Sequence, residues 1–232
     1  DDLLGKGLTP ADFTAYKSQR YRWAFGAMQI MKARFGWMTR KDSPLSRGQK
    51  FHFLTGWFSW FADALHLVFT MMAIAWTIGM VGWPKYFSLP MELFLIPIIG
   101  FFVSKAVFGI VLYRKRVPCS WHDTIMASIA SMGLSHAIAR GIFLGLWKKK
   151  GEFVRTAKSR RLSSKPSAFA SLLEELLMFL ARFACIFGMV NSNAITYTEG
   201  KLWIGILAAQ AIPYASALIG AWVAHQSNEA MA

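Results

Sequence analysis

Acidic residues are scarce in this sequence. Asp and Glu number 12 against 26 Lys and Arg, a formal charge of +14 on 232 residues. Cysteine is nearly missing too, with only Cys119 and Cys185. Cys185 lies in an apolar run and Cys119 in a basic loop, which argues against a disulfide framework or a Cys-based metal site. No His, Cys and Glu residues recur at metal-ligand spacing. There is no secretory signal peptide, and the chain opens on Asp1-Asp2 without an initiator Met, as expected for a piece of something longer. The pattern of a parallel β-sheet is also missing.

What the chain has in quantity is apolar residue, at 55%. Soluble basic proteins spread their charge over a polar surface. Here the cations stand in blocks between long apolar runs, which is a membrane-protein pattern. Nucleic acid is the usual partner of so basic a chain, but the apolar runs argue against it, so no nucleic-acid partner is expected. Ten Trp and 19 Phe suit membrane interfaces and sugar-binding surfaces equally.

The periodicity predicts an all-α membrane protein. Residues 11–35 read as a helix starting at Pro10 and capped by Thr9. Four runs are apolar enough to span a bilayer, which needs about 20 residues: about 53–81, 89–113, 168–190 and 202–224. They form two hairpins, the second run interrupted by Pro97 and Gly100. Trp121 to Trp147 reads instead as an amphipathic interface helix, with Thr124, Ser128, Ser131 and Ser135 as a polar stripe. Lys148 to Pro166 reads as a basic loop. The segments are then 1–50, cytosolic with an interfacial helix; 51–115, a transmembrane hairpin; 116–166, the amphipathic helix and loop; and 167–232, a second hairpin. Nearly all cations fall on one side by parity. The positive-inside rule puts residues 1–50 and the basic loop in the cytoplasm.

Gln19-Arg20-Tyr21-Arg22-Trp23 stands just ahead of the first span. On a helix Gln19, Arg22 and Trp23 are at i, i+3 and i+4 and share a face. A guanidinium fork suits phosphate or carboxylate. A ring face suits a sugar or a cation. Together these would serve a nucleotide-sugar reaction. The same residues also suit a basic helix lying on acidic lipid, with Trp23 as its anchor.

Two motifs in this topology resemble those of processive family-2 glycosyltransferases, the cellulose and related polysaccharide synthases. Gln19 to Trp23 matches their Q-x-x-R-W, which also precedes a transmembrane pair. Phe153-Val154-Arg155-Thr156-Ala157-Lys158 resembles the F-x-V-T-x-K gating loop of cellulose synthases, with Arg155 where Val is usual. The resemblance covers essentially the whole chain. It implies that Trp23 stacks on the acceptor sugar, Arg22 contacts the nucleotide diphosphate and Gln19 bonds near the acceptor. Phe153, Thr156 and Lys158 would close over the donor. Trp57, Trp60, Asp63 and His66 would line the polymer path, or Asp63 and His66 would pair with each other or with Lys105. The implied substrates are a UDP-sugar and a growing polysaccharide, in a bacterial inner membrane, with further synthase subunits as partners. Mg²⁺ or Mn²⁺ would be held by D-x-D and T-E-D aspartates of a GT-A domain that this sequence lacks. The competing expectation is a small four-span transporter or assembly subunit whose basic loops serve topology and lipid binding.

Overall fold

The computed structural model describes Pro10 and residues 12–148, 172–192 and 197–229. Among these residues the chain is helical and has no strand. Helix α1, Phe13–Thr39, starts where the Asp12 carboxylate accepts the Ala15 N–H at 2.7 Å. The expected cap at Thr9 lies outside the described residues. Asp12 satisfies an end-of-helix N–H and suits the positive end of the helix dipole, so the helix begins later than expected.

Helix α2, Arg47–Gly82, has 36 residues and starts on a capping box, Ser46 with Gln49. It therefore begins earlier than the apolar run alone suggests. The chain turns at Trp83–Tyr86 and folds back through α3, Met91–Phe102. The indole of Trp76 donates to Ser88 O at 2.7 Å, and its ring meets Phe87 edge-on. Pro97 sits inside α3 without ending it. The break comes later, as a π-turn over Val103–Val107 centred on Lys105, before α4, Phe108–Arg116. A π-turn holds one extra residue and shifts which side chain faces inward.

The expected single helix over 121–147 is two: α5, Trp121–Gly133, and α6, Ser135–Trp147, meeting at Leu134. Thr124 and Ser128 in its polar stripe donate to carbonyls four residues back, so part of the stripe is spent on its own backbone. Helix α7, Leu173–Asn191, and helix α8, Thr198–Glu229, complete the described chain.

Four stretches are long and apolar enough to cross a bilayer: Arg47–Gly82, Leu93–Arg116, Trp121–Trp147 and Thr198–Gln226. The number agrees with expectation but the membership differs. Glu174, Glu175 and Arg182 leave α7 too polar by composition, whereas Trp121–Trp147 qualifies.

Two apolar clusters hold the helices together. One, near the Trp83 turn, joins α2, α3, α7 and α8 through Met80, Phe94, Met189 and Trp203. The other, toward the far end, joins α1, α2 and α6 through Ala24, Met28, Ala64, Ile138 and Ile142. Between them lies a layer of buried polar side chains, including Asp63, His66, Thr70, Arg182, Gln210 and Tyr214.

Candidate functional site

Helix α1 is seated on α6 by Gly141 and Gly145. A Cβ at 141 would stand 2.5 Å from Tyr21 O, and one at 145 would stand 2.8 Å from Phe25 O. Only glycine permits so close an approach. Gln29 and Lys32 of α1 then reach the open C-terminal carbonyls of α6. Gln29 donates to Gly145 O and Lys148 O at 2.6 and 2.7 Å. Lys32 donates to Gly145 O, Leu146 O and Lys148 O at 3.0, 2.8 and 2.8 Å. A cation at a helix C-terminus also suits the dipole.

This docking leaves a cleft of ≈ 260 Å³ between α1, α2, the π-turn and the α5–α6 junction. Tyr16 and Arg20 enter it from α1, Trp60 and Asp63 from α2, Lys105 from the π-turn and Ser131 from α5. Leu134 and Ile138 form its apolar side. Asp63 is 1% exposed and pairs with Lys105 at 2.7 Å. Its other carboxylate oxygen has no hydrogen-bond partner among the described residues, and neither has the Nε of Arg20. The Arg20 guanidinium donates to the Tyr16 hydroxyl at 2.8 Å. It also lies over the Tyr16 and Trp23 rings, 5.1 and 4.8 Å from their centroids. The cleft thus combines aromatic surface, a fixed guanidinium and an ion pair, the groups that can hold a polyhydroxylated ligand with both stacking and hydrogen bonds.

The sequence-expected residues fall as follows. Gln19, Arg22 and Trp23 sit within one turn of α1. Trp23 is 49% exposed, and Gln19 and Arg22 are half-buried. Trp23 borders the cleft through Arg20, while Gln19 and Arg22 are not among its lining. Trp60 and Asp63 line the cleft. Trp57 is buried against Phe53, with centroids 5.7 Å apart. His66 is buried deeper, stacked on Phe101 at 4.1 Å. Asp63 takes Lys105 as partner, one of the two arrangements expected for it. Phe153, Thr156 and Lys158 lie outside the described residues.

Sequence reasoning assigned no ligand role to Tyr16, Arg20 or Ser131. The available signal was spacing: Tyr16, Arg20 and Trp23 stand at i, i+4 and i+7, a single helical stripe.

The two adjacent acids of α7 tie the site to the bundle. Glu175 pairs with Lys17 of α1 at 2.5 Å, and Glu174 meets His136 and Arg140 of α6, each at 2.9 Å. Farther in, Arg182 donates to Thr70 O of α2. Among the described residues no three His, Cys, Asp or Glu side chains are grouped to hold a metal ion.

The described residues define an all-helical structure with four stretches long and apolar enough to cross a membrane, the build of a multi-pass membrane protein. No family model, no curated protein and no solved structure matches it.

Proposed function

We propose that the chain is the membrane channel and gating part of a processive, inverting family-2 glycosyltransferase. The full enzyme elongates a polysaccharide, a β-glucan, from a UDP-sugar and moves it across the bacterial inner membrane. The observation that carries this reading is the cleft beside the Q-x-x-R-W helix, with Tyr16, Arg20 and Trp60 set around the Asp63–Lys105 pair. Aromatic faces with few, well-placed polar groups are what a sliding sugar chain requires.

In this reading an acceptor hydroxyl attacks the anomeric carbon of the donor. The bond from that carbon to the diphosphate breaks, and the hydroxyl proton passes to a carboxylate of the donor-binding GT-A domain. Cationic donors such as Arg22 stabilise the charge developing on the leaving diphosphate. Trp23 supports the acceptor sugar and Gln19 its hydroxyls. Phe153, Thr156 and Lys158 close over the donor and exclude water. The metal, Mg²⁺ or Mn²⁺, and the UDP-glucose belong to the GT-A domain, so this part alone makes no polymer. The hairpins α2 with α3–α4 and α7 with α8 cross the bilayer. The interface elements are α1 and the α5–α6 pair, broken at Leu134, with the basic segments cytosolic.

The test uses the intact enzyme in proteoliposomes with radiolabelled UDP-glucose. Arg20→Ala, Trp23→Ala and Trp60→Ala each lower polymer output by about tenfold or more, the scale of losing a positioning contact. Unchanged output from all three refutes the reading. The buried Asp63–Lys105 pair favours one second reading, a small transporter, because paired charges inside a bundle also mark ion and substrate paths. Proton- or ion-coupled solute uptake by the chain alone, abolished in Asp63→Asn, decides for it.

A further inference from the structure

Arg182 is the central residue of α7 and is 0% exposed. One terminal nitrogen, Nη2, donates to Thr70 O of α2. Its Nε and Nη1 have no hydrogen-bond partner among the described residues, and Arg182 belongs to no ion pair there. The acids of the same buried layer are already taken. Glu175, two turns earlier on α7, pairs with Lys17, and Asp63 pairs with Lys105. Thr70 O accepts a hydrogen bond but carries no net charge. A guanidinium does not give up its proton in a protein. The bundle therefore holds a whole positive charge in its interior, and an uncompensated charge out of water is strongly unfavourable.

The groups around it are neutral, polar and also without partners. Thr70 Oγ1, Gln210 Nε2 and Tyr214 OH are buried and make no hydrogen bond among the described residues. Thr70 stands on α2. Gln210 and Tyr214 stand on α8 at i and i+4, one face of that helix. Arg182 is within electrostatic reach of the Tyr214 hydroxyl and of His66. The His66 and Tyr214 rings are 6.0 Å apart. His66 Nε2 is without a partner as well, and it donates in the tautomer that carries its proton there. Native interiors leave few such groups unmet. N–H and O–H donors from three helices, gathered about one cation, suit a ligand that is negative and accepts hydrogen bonds. One charge needs balancing, so the ligand is monovalent. Lipid phosphate does not reach it: Thr70 lies about 18 Å along α2 from Gly82, and Arg182 about 13 Å from either end of α7, at a rise of ~1.5 Å per residue.

We infer that Arg182, Thr70, Gln210 and Tyr214 form a binding site for a small monovalent anion of chloride size, held inside the bundle as the counter-ion of Arg182. Arg182 Nε and Nη1 donate the charge-assisted hydrogen bonds. Thr70 Oγ1, Tyr214 OH and Gln210 Nε2 complete the shell, so the ion ties α2, α7 and α8 together. The role is independent of any sugar chemistry in the cleft.

The test takes the full chain in neutral detergent and sodium gluconate, whose anion is too large for such a site. Chloride then replaces gluconate at constant ionic strength. The melting temperature rises with chloride and saturates, as a ligand that binds only the folded state requires. Bromide acts like chloride and sulfate does not. The chain also broadens the chloride NMR line. Arg182→Met abolishes both responses. Tyr214→Phe with Gln210→Leu keeps the guanidinium and raises the half-saturating chloride concentration by about tenfold or more, the scale of a lost hydrogen bond to a charged group. That pair carries the test if Arg182→Met does not fold. Arg34→Gln/Lys41→Gln, on the surface, leaves the responses in place. Equal melting in chloride and gluconate overturns the inference, the donors then being met by buried water alone. So does a response that sulfate reproduces, or one that the site variants keep, which places the ion on surface cations.

Discussion

Lys17 is the residue on which the site's geometry turns. It stands three residues from Arg20 on α1 and pairs with Glu175, which is 1% exposed. Removing one member strands the other charge out of water, whereas replacing both by apolar groups can be nearly neutral. Lys17→Met is therefore expected to destabilise the protein by about 3 kcal/mol, read as a fall in melting temperature in detergent. Lys17→Met with Glu175→Leu recovers most of that loss. If the single and double variants melt alike, the pair does not hold α1. Asp63 and Lys105 follow the same logic. A charge inside a long apolar run needs a reason, and Lys105 was already one of two partners open to Asp63. What the run could not show was the π-turn at Val103–Val107 that sets Lys105 among the cleft-lining side chains. It depends on how the helix packs and not on residue type. Arg20 was hidden for another reason: it stands at a variable position of Q-x-x-R-W, and only its contacts with Tyr16 and Trp23 aim it at the cleft.

At the level of elements, the α1–α6 contact decides where the cleft is. Gly141→Val forces a side chain into Tyr21 O and is expected to cost about 1–3 kcal/mol, the range for overpacking. Gly26→Ala, on α1, meets nothing within 4 Å and is expected to gain about 0.4–1 kcal/mol. Chemical denaturation of both variants checks the contrast; equal effects would mean the two helices do not meet as described. The spacing Gly141-x-x-x-Gly145 was a sign of this contact that the reading of 121–147 as an amphipathic helix passed over. The break at Leu134 was less legible. The apolar pattern runs through 121–147 without proline, and only the packing of α5 on α8 and of α6 on α1 and α2 divides it. The start of α2 was legible only in part: its apolar run was plain, but the Ser46–Gln49 capping box begins the helix ahead of that run.

For the molecule as a whole, the segregation of charge from apolar sequence foretold helices long enough to span, and four are present. It did not foretell which, because α7 hides its polar groups only through partners on other helices. The proposed orientation has a direct check. Ser88→Cys should react with a membrane-impermeant maleimide from the outer side of intact spheroplasts. The half-buried native Cys119 should react only from the cytosolic side. Labelling of Cys119 from outside reverses the topology.

The buried layer around Arg182 also bears on how such a protein is made. A segment carrying Arg182 near its centre and Glu174 and Glu175 in its first turn is a poor substrate for insertion by itself, since a charge at mid-bilayer is unfavourable by about 3 kcal/mol on translocon scales and the two acids add to it. The groups that receive these charges, Lys17, Thr70, His136 and Arg140, all precede α7 in the chain. They have left the ribosome before it. In the proposed topology α7 therefore enters the bilayer as a late arrival to a half-built bundle. The order of synthesis becomes part of what lets the sequence fold.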